Sequence, residues 1–310
     1  MTTADLNLER KKLFCFGYGY VCDFLGQALR EDKNWKIAGT SRDSDKRQLM
    51  READLEAFLF DDERPLGDPL YVLKDVTHLL ISTPPGREGC PTYLAHGEVI
   101  ASLPNLEWVG YLSSTCVYGD RDGDWVDEYS ELRPSTIRGS RRTKAEEQWR
   151  SMRRLNNLPV HVFRLSGIYG PGRSALDSVH AGIARRIDKP GQVFGRVHVA
   201  DIVQVLMASI AQRNAGAVYN ICDDNPAPAH EVIAYACEIL GKEAPPLVAI
   251  EDANLPPMAL SFYSDNKRVR NERIKQELGI TLKYPDYRSG IDQCLEYDQK
   301  FGSIFDVLPE

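Results

Sequence analysis

Several features that mark special classes of protein are missing from this sequence of 310 residues. No run of about 18 apolar residues occurs, so the sequence predicts no membrane-spanning helix. Asp and Glu outnumber Lys and Arg by 45 to 38, and the net charge of −7 argues against a general nucleic-acid-binding protein, which needs a basic surface. Residues 1–12 are charged and contain no apolar core, so we expect no secretory signal.

Cysteine and histidine are also too scattered to form a recognisable cluster. The 7 cysteines include no Cys-x-x-Cys pair, and their odd number fits reduced thiols, which predicts a cytoplasmic protein. None of the 6 histidines pairs with another at metal-ligand spacing, so no zinc site is predicted. Hydrophobic residues make up 43% of the chain and run through all of it, which excludes a disordered protein.

Short apolar runs alternate with helix-length amphipathic segments over the first 170 residues. We predict strands at residues 12–16, 35–40, 58–60, 77–82, 106–112 and 160–165. Strands separated by helix-length segments predict βαβ units and a parallel sheet with helices on both faces. The predicted fold class is therefore α/β, a Rossmann-type doubly wound parallel sheet.

The pattern changes after residue 170, where prolines interrupt the chain repeatedly and the remaining periodic segments are mostly helical. We predict a dinucleotide-binding domain that comprises residues 1–170 and also receives residues 196–222. Residues 171–195 and 223–310 are predicted to form a small, mostly helical C-terminal substrate-binding lobe.

A glycine-rich turn follows the first predicted strand and opens the first predicted helix, with the sequence Gly17-Tyr-Gly19-Tyr-Val-Cys22. In dinucleotide-binding folds the first glycine makes the tight turn, and the second lets the backbone approach the pyrophosphate. The amides of the helix N-terminus then meet its negative charge. We predict that Gly17, Gly19, Tyr20 and Val21 bind a dinucleotide, although an ordinary tight turn would show the same glycines.

The end of the second predicted strand bears on the choice of cofactor. An acidic residue there would favour NAD, but this strand ends in Thr40-Ser41-Arg42 and Asp43 follows only after the arginine. Hydroxyl groups and a guanidinium suit a 2′-phosphate, so we predict NADP, with NAD less favoured. The alternative is that Arg42 is only a solvated cation. Further cofactor contacts are predicted after the third and fourth strands, from Asp61 to the adenine and from Ser82, Thr83 and Pro84 to its ribose.

Four ordered motifs give a more specific interpretation. They are Leu112-Ser-Ser-Thr-Cys-Val-Tyr-Gly119, Arg164-Leu-Ser-Gly-Ile-Tyr-Gly-Pro-Gly172, Arg196-Val-His-Val-Ala-Asp201 and Tyr219-Asn220. From about residue 12 to 300 the chain resembles an atypical extended short-chain dehydrogenase/reductase, of the family of NAD-dependent epimerases and dehydratases that act on nucleotide sugars. The resemblance implies a small-molecule substrate, and a homodimer is left open.

The resemblance implies three catalytic roles, of which this sequence keeps two. Ser114 would orient the substrate oxygen, and Lys144 would bind the nicotinamide ribose. The proton-donating tyrosine should lie four residues before Lys144, where this chain has Ser140. A serine hydroxyl stops several ångströms short of a phenol oxygen and is too weakly acidic to donate at neutral pH. We expect Ser140 to be a helix N-cap.

Three interpretations of the missing tyrosine stay open. Another residue supplies the proton, with Tyr118 or Tyr169 as candidates; or the substrate needs no side-chain acid, as with an iminium or an activated double bond; or the protein only binds the cofactor. Tyr118 and Arg173 are also predicted to bind substrate, Arg173 by clamping a phosphate or carboxylate.

Two pairs of charged residues are weighed in the same way. Arg138 or Arg141 would face an anionic group unless both lie on a solvated helix face, and His198 and Asp201 are expected to position a helix. The leading hypothesis is an NADP-dependent oxidoreductase or epimerase with an altered active site, and the alternative is a non-catalytic NADP-binding sensor.

Overall fold

The computed structural model describes residues 11–212 and 214–302. These residues divide into two compact units. The first contains the chain up to Ser113, together with Arg141–Phe163 and Ser209–Val218. The second contains Ser114–Ser140, Arg164–Ala208 and the chain from Tyr219 onward. The sequence analysis assigns residues 114–140, 164–170, 196–208 and 219–222 to the dinucleotide-binding domain, but these residues cluster with the second unit.

The strands are β1 Lys11–Phe16, β2 Trp35–Ser41, β3 Glu56–Leu59, β4 His78–Ile81, β5 Trp108–Ser114, β6 Trp125–Val126, β7 Val160–Leu165, β8 Gly167–Tyr169, β9 Arg186–Asp188, β10 Arg196–His198, β11 Val218–Ile221, β12 Leu247–Ala249 and β13 Arg268–Val269. The helices are α1 Tyr20–Arg30, α2 Ser44–Glu52, α3 Pro69–Leu73, α4 Pro91–Ala101, α5 Ile137–Asn156, α6 Ala175–His180, α7 Val199–Ala211, α8 Ala229–Ile239, α9 Pro257–Phe262, α10 Glu272–Leu278 and α11 Tyr287–Phe301. Short 3-10 turns span Thr115–Tyr118 and Ile250–Asp252.

Seven strands form one sheet in the order β11-β7-β5-β4-β1-β2-β3. The strand β1 pairs in parallel with both β2 and β4, and the pairs β2–β3 and β4–β5 are parallel as well. The chain starts in the middle of the sheet, fills one side, and crosses to the other at β4. This arrangement confirms the predicted doubly wound α/β fold and places a topological switch point between β1 and β4.

The buried runs in the sequence explain why this sheet forms. Every residue of β4 and β7 is buried, and β1 is buried beyond its first residue, as expected for strands covered on both faces. Helix α1 buries one apolar stripe through Val21, Cys22, Leu25 and Leu29. Aromatic side chains dominate the core of the first unit, where Phe14, Phe16, Phe60, Tyr111 and Trp149 are all buried.

The second unit has its own core, built mainly from helices. Side chains of α8 and α11 pack with those of α6 around Leu176, Ala236 and Ile291. Short parallel strand pairs, β8 with β10, β9 with β12 and β6 with β13, are added to these helices. Of these ladders, only β9 with β12 lies wholly within residues 171–195 and 223–310, the part that was predicted to be mostly helical.

Candidate functional site

The turn after β1 has the geometry that the glycine motif predicts. Gly17 has φ +80°, in the region that favours glycine, and a Cβ there would lie 3.2 Å from the backbone nitrogen of Thr83. Gly19 is the N-cap of α1 and provides no side-chain acceptor for the first amides of that helix. A Cβ at Gly19 would meet only the carbonyl oxygen of Gly17, at 3.8 Å. The backbone is therefore open to an anion at this helix N-terminus, which begins with Tyr20 and Val21.

Tyr18 holds this turn in place, a role that sequence reasoning missed. Its side chain is 4% exposed and lies against two glycines. A Cβ would come within 2.5 Å of the Tyr18 hydroxyl at Gly26, and within 2.9 Å of its ring at Gly39. The Tyr18 N–H donates to the Thr40 carbonyl at 2.7 Å, and the Gly17 N–H donates to the Thr40 hydroxyl at 2.8 Å. Gly26 in α1 and Gly39 in β2 leave room for the Tyr18 ring, and these two glycines were the sequence signal for this packing.

The end of β2 brings cationic groups together. Arg42 is exposed, and Arg64 donates to its carbonyl oxygen at 3.2 Å. The Asp43 carboxylate accepts from the N–H groups of Asp45 and Lys46, which caps α2 and lowers the pKa of Asp43. Asp43 is therefore engaged with its own helix.

The remaining predicted cofactor residues have identifiable partners. Asp61 forms a 2.7 Å ion pair with Arg64, and this contact lowers the pKa of Asp61. Ser41 accepts from the N–H of Asp43 at 3.1 Å. Thr83 is buried and its hydroxyl lies 3.0 Å from that of Thr92 in α4, while Ser82 is partly exposed. Pro84 is exposed in the same segment.

Lys144 forms an ion pair that the sequence did not indicate. Its Nζ lies 2.9 Å from Oε2 of Glu88, and both side chains are largely exposed. Gln148, one turn further along α5, donates to the Glu88 carbonyl at 3.0 Å and accepts from the Cys90 N–H at 2.8 Å. The segment after β4 is therefore attached to α5 next to the candidate catalytic lysine.

Two further contacts tie α5 to the end of β5 within the first unit. The Ser113 hydroxyl donates to Glu146 at 2.5 Å, and both groups are buried. Arg142 donates to the Leu112 carbonyl at 2.9 Å. The basic segment of α5 is thus only partly the solvated face that its charges suggest.

The structure corrects the interpretation of Ser140. Helix α5 begins at Ile137, and the Thr136 hydroxyl accepts from the Gly139 N–H at 3.0 Å, so Thr136 takes the capping position. Ser140 lies in the first turn, is exposed, and donates its hydroxyl to the Thr136 carbonyl at 3.2 Å. The expectation of a Ser140 N-cap was wrong because the helix starts three residues earlier.

Tyr118 is also corrected. It is 0% exposed, and its hydroxyl donates to Asn220 at 2.7 Å while accepting from Arg164 at 2.9 Å. Burial raises the pKa of Tyr118 to about 12. Its hydroxyl is committed to these two partners, so we withdraw Tyr118 as a substrate-binding residue and as a proton donor.

The remaining candidate residues of the second unit are Ser114, Arg138, Tyr169 and Arg173. Ser114 is partly exposed and accepts from the Cys116 N–H at 3.3 Å, at the start of the 3-10 turn. Arg138 stacks on the ring of Phe262 at 4.2 Å. Arg173 and Tyr169 line one cavity, and burial raises the pKa of Tyr169. Arg141, which belongs to the first unit, is exposed.

His198 and Asp201 have structural partners. The Asp201 carboxylate accepts from the N–H groups of Lys283 and Tyr284 at 2.7 and 3.1 Å. His198 accepts from the Ala200 N–H at 3.2 Å, and burial lowers its pKa to about 4. Both residues thus fix the start of α7.

Two other features are absent from the described residues. Among them, no helix is long and apolar enough to cross a membrane. In the same part of the chain, no group of three or more His, Cys, Asp or Glu side chains is arranged to hold a metal ion.

The strand order and the glycine turn define a Rossmann-type α/β protein. Residues 98–222 match the profile of the NAD dependent epimerase/dehydratase family. This match agrees with the resemblance that the sequence motifs implied. No curated protein sequence matches the chain.

Several solved structures are similar to this chain. A functionally unknown conserved protein from Silicibacter pomeroyi DSS is 51% identical, with a TM-score of 0.85, and the match covers 93% of this chain and 99% of the other. A dTDP-glucose 4,6-dehydratase from Bacillus anthracis str. Ames, in complex with NAD, is 18% identical over 94% and 97% of the chains, with a TM-score of 0.77. A UDP-glucuronic acid 4-epimerase from Bacillus cereus, also with NAD, is 16% identical over 94% and 99%, with a TM-score of 0.75. The last two likenesses show the fold alone.

Proposed function

We propose that this protein binds NADP at the glycine turn and acts as an oxidoreductase or epimerase/dehydratase-like enzyme that works without the usual tyrosine. The observation that carries the proposal is the turn itself. Gly17 allows a left-handed backbone, and Gly19 leaves the start of α1 open to a pyrophosphate. Tyr20 and Val21 provide the first amides of that helix.

The preference for NADP over NAD is supported by the end of β2. The Arg42 guanidinium is exposed there, with Arg64 bound to its carbonyl oxygen. Asp43, which could otherwise bind a ribose 2′-hydroxyl, caps α2. Cationic groups and the Ser41 hydroxyl suit a 2′-phosphate. Two similar structures contain NAD, so the preference needs a direct measurement.

Catalysis is proposed to use Ser114 and Lys144. Ser114 would hold a substrate oxygen, and Lys144 would leave Glu88 to bind the nicotinamide ribose. NADPH, when bound, supplies a hydride. Ser140 donates its hydroxyl to Thr136, and Tyr118 is withdrawn, so neither supplies a proton. Burial raises the pKa of Tyr169, and its hydroxyl donates to the Asp286 carbonyl at 3.4 Å, so Tyr169 is withdrawn as a donor for the same reasons as Tyr118. A substrate that needs no side-chain acid, such as an iminium or an activated double bond, fits the remaining residues.

A non-catalytic NADP sensor is the second proposal. It is favoured by the Lys144–Glu88 ion pair, because a cofactor that binds Lys144 would break this pair and release Glu88. The cytoplasmic location remains a proposal from the reduced cysteines, and a homodimer remains open.

Fluorescence titration with NADPH and NADH tests the cofactor site in wild type and Gly19→Val. Oxidation of NADPH against a panel of carbonyls, imines and sugar nucleotides then separates the enzyme from the sensor. Binding that survives Gly19→Val would refute the nucleotide site. Intact binding without turnover would favour the sensor.

A further inference from the structure

One cavity of about 390 Å³ lies entirely within the second unit. Helices α6, α8 and α11 contribute to its wall, together with the residues that precede β9. The side chains of Val232 and Ile291 are almost fully buried in that wall. Its size is that of a site for a small organic molecule, and such sites are mostly apolar with a few placed polar groups.

The charged groups of this cavity are all cationic. Arg173, Arg185 and Arg196 line it, and no Asp or Glu does so among the described residues. Arg173 and Arg185 are exposed, as is Ile183 beside them, and these residues form the rim. Guanidinium groups at the rim of a cavity attract an anionic ligand.

Arg196 is the deepest of the three arginines and is already oriented. Its Nη1 donates to the carbonyl oxygens of Phe194 and Ala227, each at 2.8 Å. Burial lowers the pKa of Arg196, and the buried rings of Tyr169 and Tyr287 lie close to it. Among the described residues, both hydrogen bonds of this side chain run through Nη1. The Nε and Nη2 donors are therefore left for a planar anion.

Asp223 is the carboxyl group that interacts most strongly with the charge of Arg196, and it does not line the cavity. Asp223 is 3% exposed, and burial raises its pKa to about 8 against the opposing charge of Arg196. The other charged or titratable groups that interact with Asp223 include Asp224, Tyr169 and Cys222. The raised pKa favours the protonated form of Asp223, which weakens its counter-charge to the guanidinium.

We propose that this cavity binds an organic acid whose single carboxylate lies on Arg196 and whose apolar body packs against Val232 and Ile291. The exposed arginines of the rim would attract the acid, and the single half-buried guanidinium of Arg196 matches one carboxylate better than a phosphate dianion. The proposal rests on the proposed function in one respect: it names the class of substrate that Arg173, a predicted substrate-binding residue, would help to bind. The cavity can be tested without any cofactor, so failure here would leave the NADP site untouched.

Calorimetry at pH 7 with phenylacetate, in the absence of cofactor, is the direct test. We expect a dissociation constant below about 1 mM. The neutral isostere phenylethanol and the short acid acetate should bind at least about tenfold more weakly, since each lacks one half of the recognised chemistry. Equal binding of phenylethanol, or no binding of phenylacetate, would overturn the proposal. Tighter binding of inorganic phosphate would do so too, and would indicate a phosphate site.

Matched variants locate the ligand. Arg196→Met should weaken phenylacetate binding at least about tenfold, whereas Arg270→Met, an arginine of the same unit that pairs with Glu272, should leave it unchanged. Val232→Phe places a ring in the space proposed for the apolar body of the ligand and should weaken binding at least about tenfold, at a modest cost in stability, so it decides the matter if Arg196→Met fails to fold. Unchanged binding in Val232→Phe would refute the site.

The pH dependence gives an independent readout. Phenylacetate affinity should fall as the pH rises through about 8, because ionised Asp223 then neutralises Arg196 and repels the ligand. Asp223→Asn cannot ionise and should give a flat profile over the same range. A wild-type profile that is flat, or one that Asp223→Asn does not alter, would contradict the placement of the carboxylate on Arg196.

Discussion

Replacing Lys144 with alanine tests the role of the ion pair that this lysine makes with Glu88. A charged hydrogen bond to the nicotinamide ribose contributes about 1.5–3 kcal/mol. Before it can form, Lys144 must give up Glu88, and a pair whose side chains are 49% and 68% exposed contributes only about 0.2–1 kcal/mol. The difference predicts that Lys144→Ala weakens NADPH binding by about 1–2 kcal/mol, roughly 5- to 30-fold.

The partner residue provides the matched control. Glu88→Gln removes the competing carboxylate and should strengthen NADPH binding by up to about fivefold, an effect that 0.5 M salt should reduce. Fluorescence titration of NADPH with wild type, both single variants and the double variant measures the coupling. Unchanged affinity in Lys144→Ala would refute the proposed ribose contact. Weaker binding in Glu88→Gln would show that Glu88 assists the cofactor rather than competing with it.

Three further outcomes are expected. Arg42→Ala should lower NADPH affinity by about 10-fold or more and leave NADH affinity nearly unchanged, as read by titration of both cofactors; equal losses would count against a 2′-phosphate contact. Gly19→Val should impair cofactor binding with little change in melting temperature. Gly17→Val should also lower the melting temperature, because Gly17 has φ +80° and lies close to Thr83. A larger loss of melting temperature in Gly19→Val than in Gly17→Val would contradict the turn geometry. Ser140→Ala should not change turnover with an active substrate, whereas Ser114→Ala should reduce it; a large loss in Ser140→Ala would make Ser140 a catalytic residue.

The sheet and the glycine turn could be predicted because their signals are local. A buried apolar run followed by glycine and a helical stripe is visible within about 20 residues of sequence. Thr136 shows where such signals fail. The first turn of α5, Ile137-Arg-Gly-Ser140, has a single apolar residue and that residue is exposed, so the apolar periodicity of the helix begins late. The capping threonine was therefore passed over in favour of Ser140.

Long-range contacts account for the rest of what the sequence did not show. The Tyr118 hydroxyl meets Arg164, 46 residues away, and Asn220, 102 residues away. Glu88 lies 56 residues from Lys144. Each partner belongs to a different segment, and spacing within one segment carries no information about side chains that the fold brings together.

Tyr18 has a consequence for how quickly and how tightly a nucleotide can be captured. Its ring occupies the space between Gly26 and Gly39. The N–H groups of Tyr18 and Gly17 both donate hydrogen bonds to Thr40. Protein contacts alone thus keep the turn in its receiving shape, and a ligand has little backbone entropy to remove when it arrives. Tyr18→Ala would remove no atom that is proposed to touch the cofactor. It should nevertheless slow association and reduce affinity, because a smaller fraction of the molecules would hold the turn in the shape that binds.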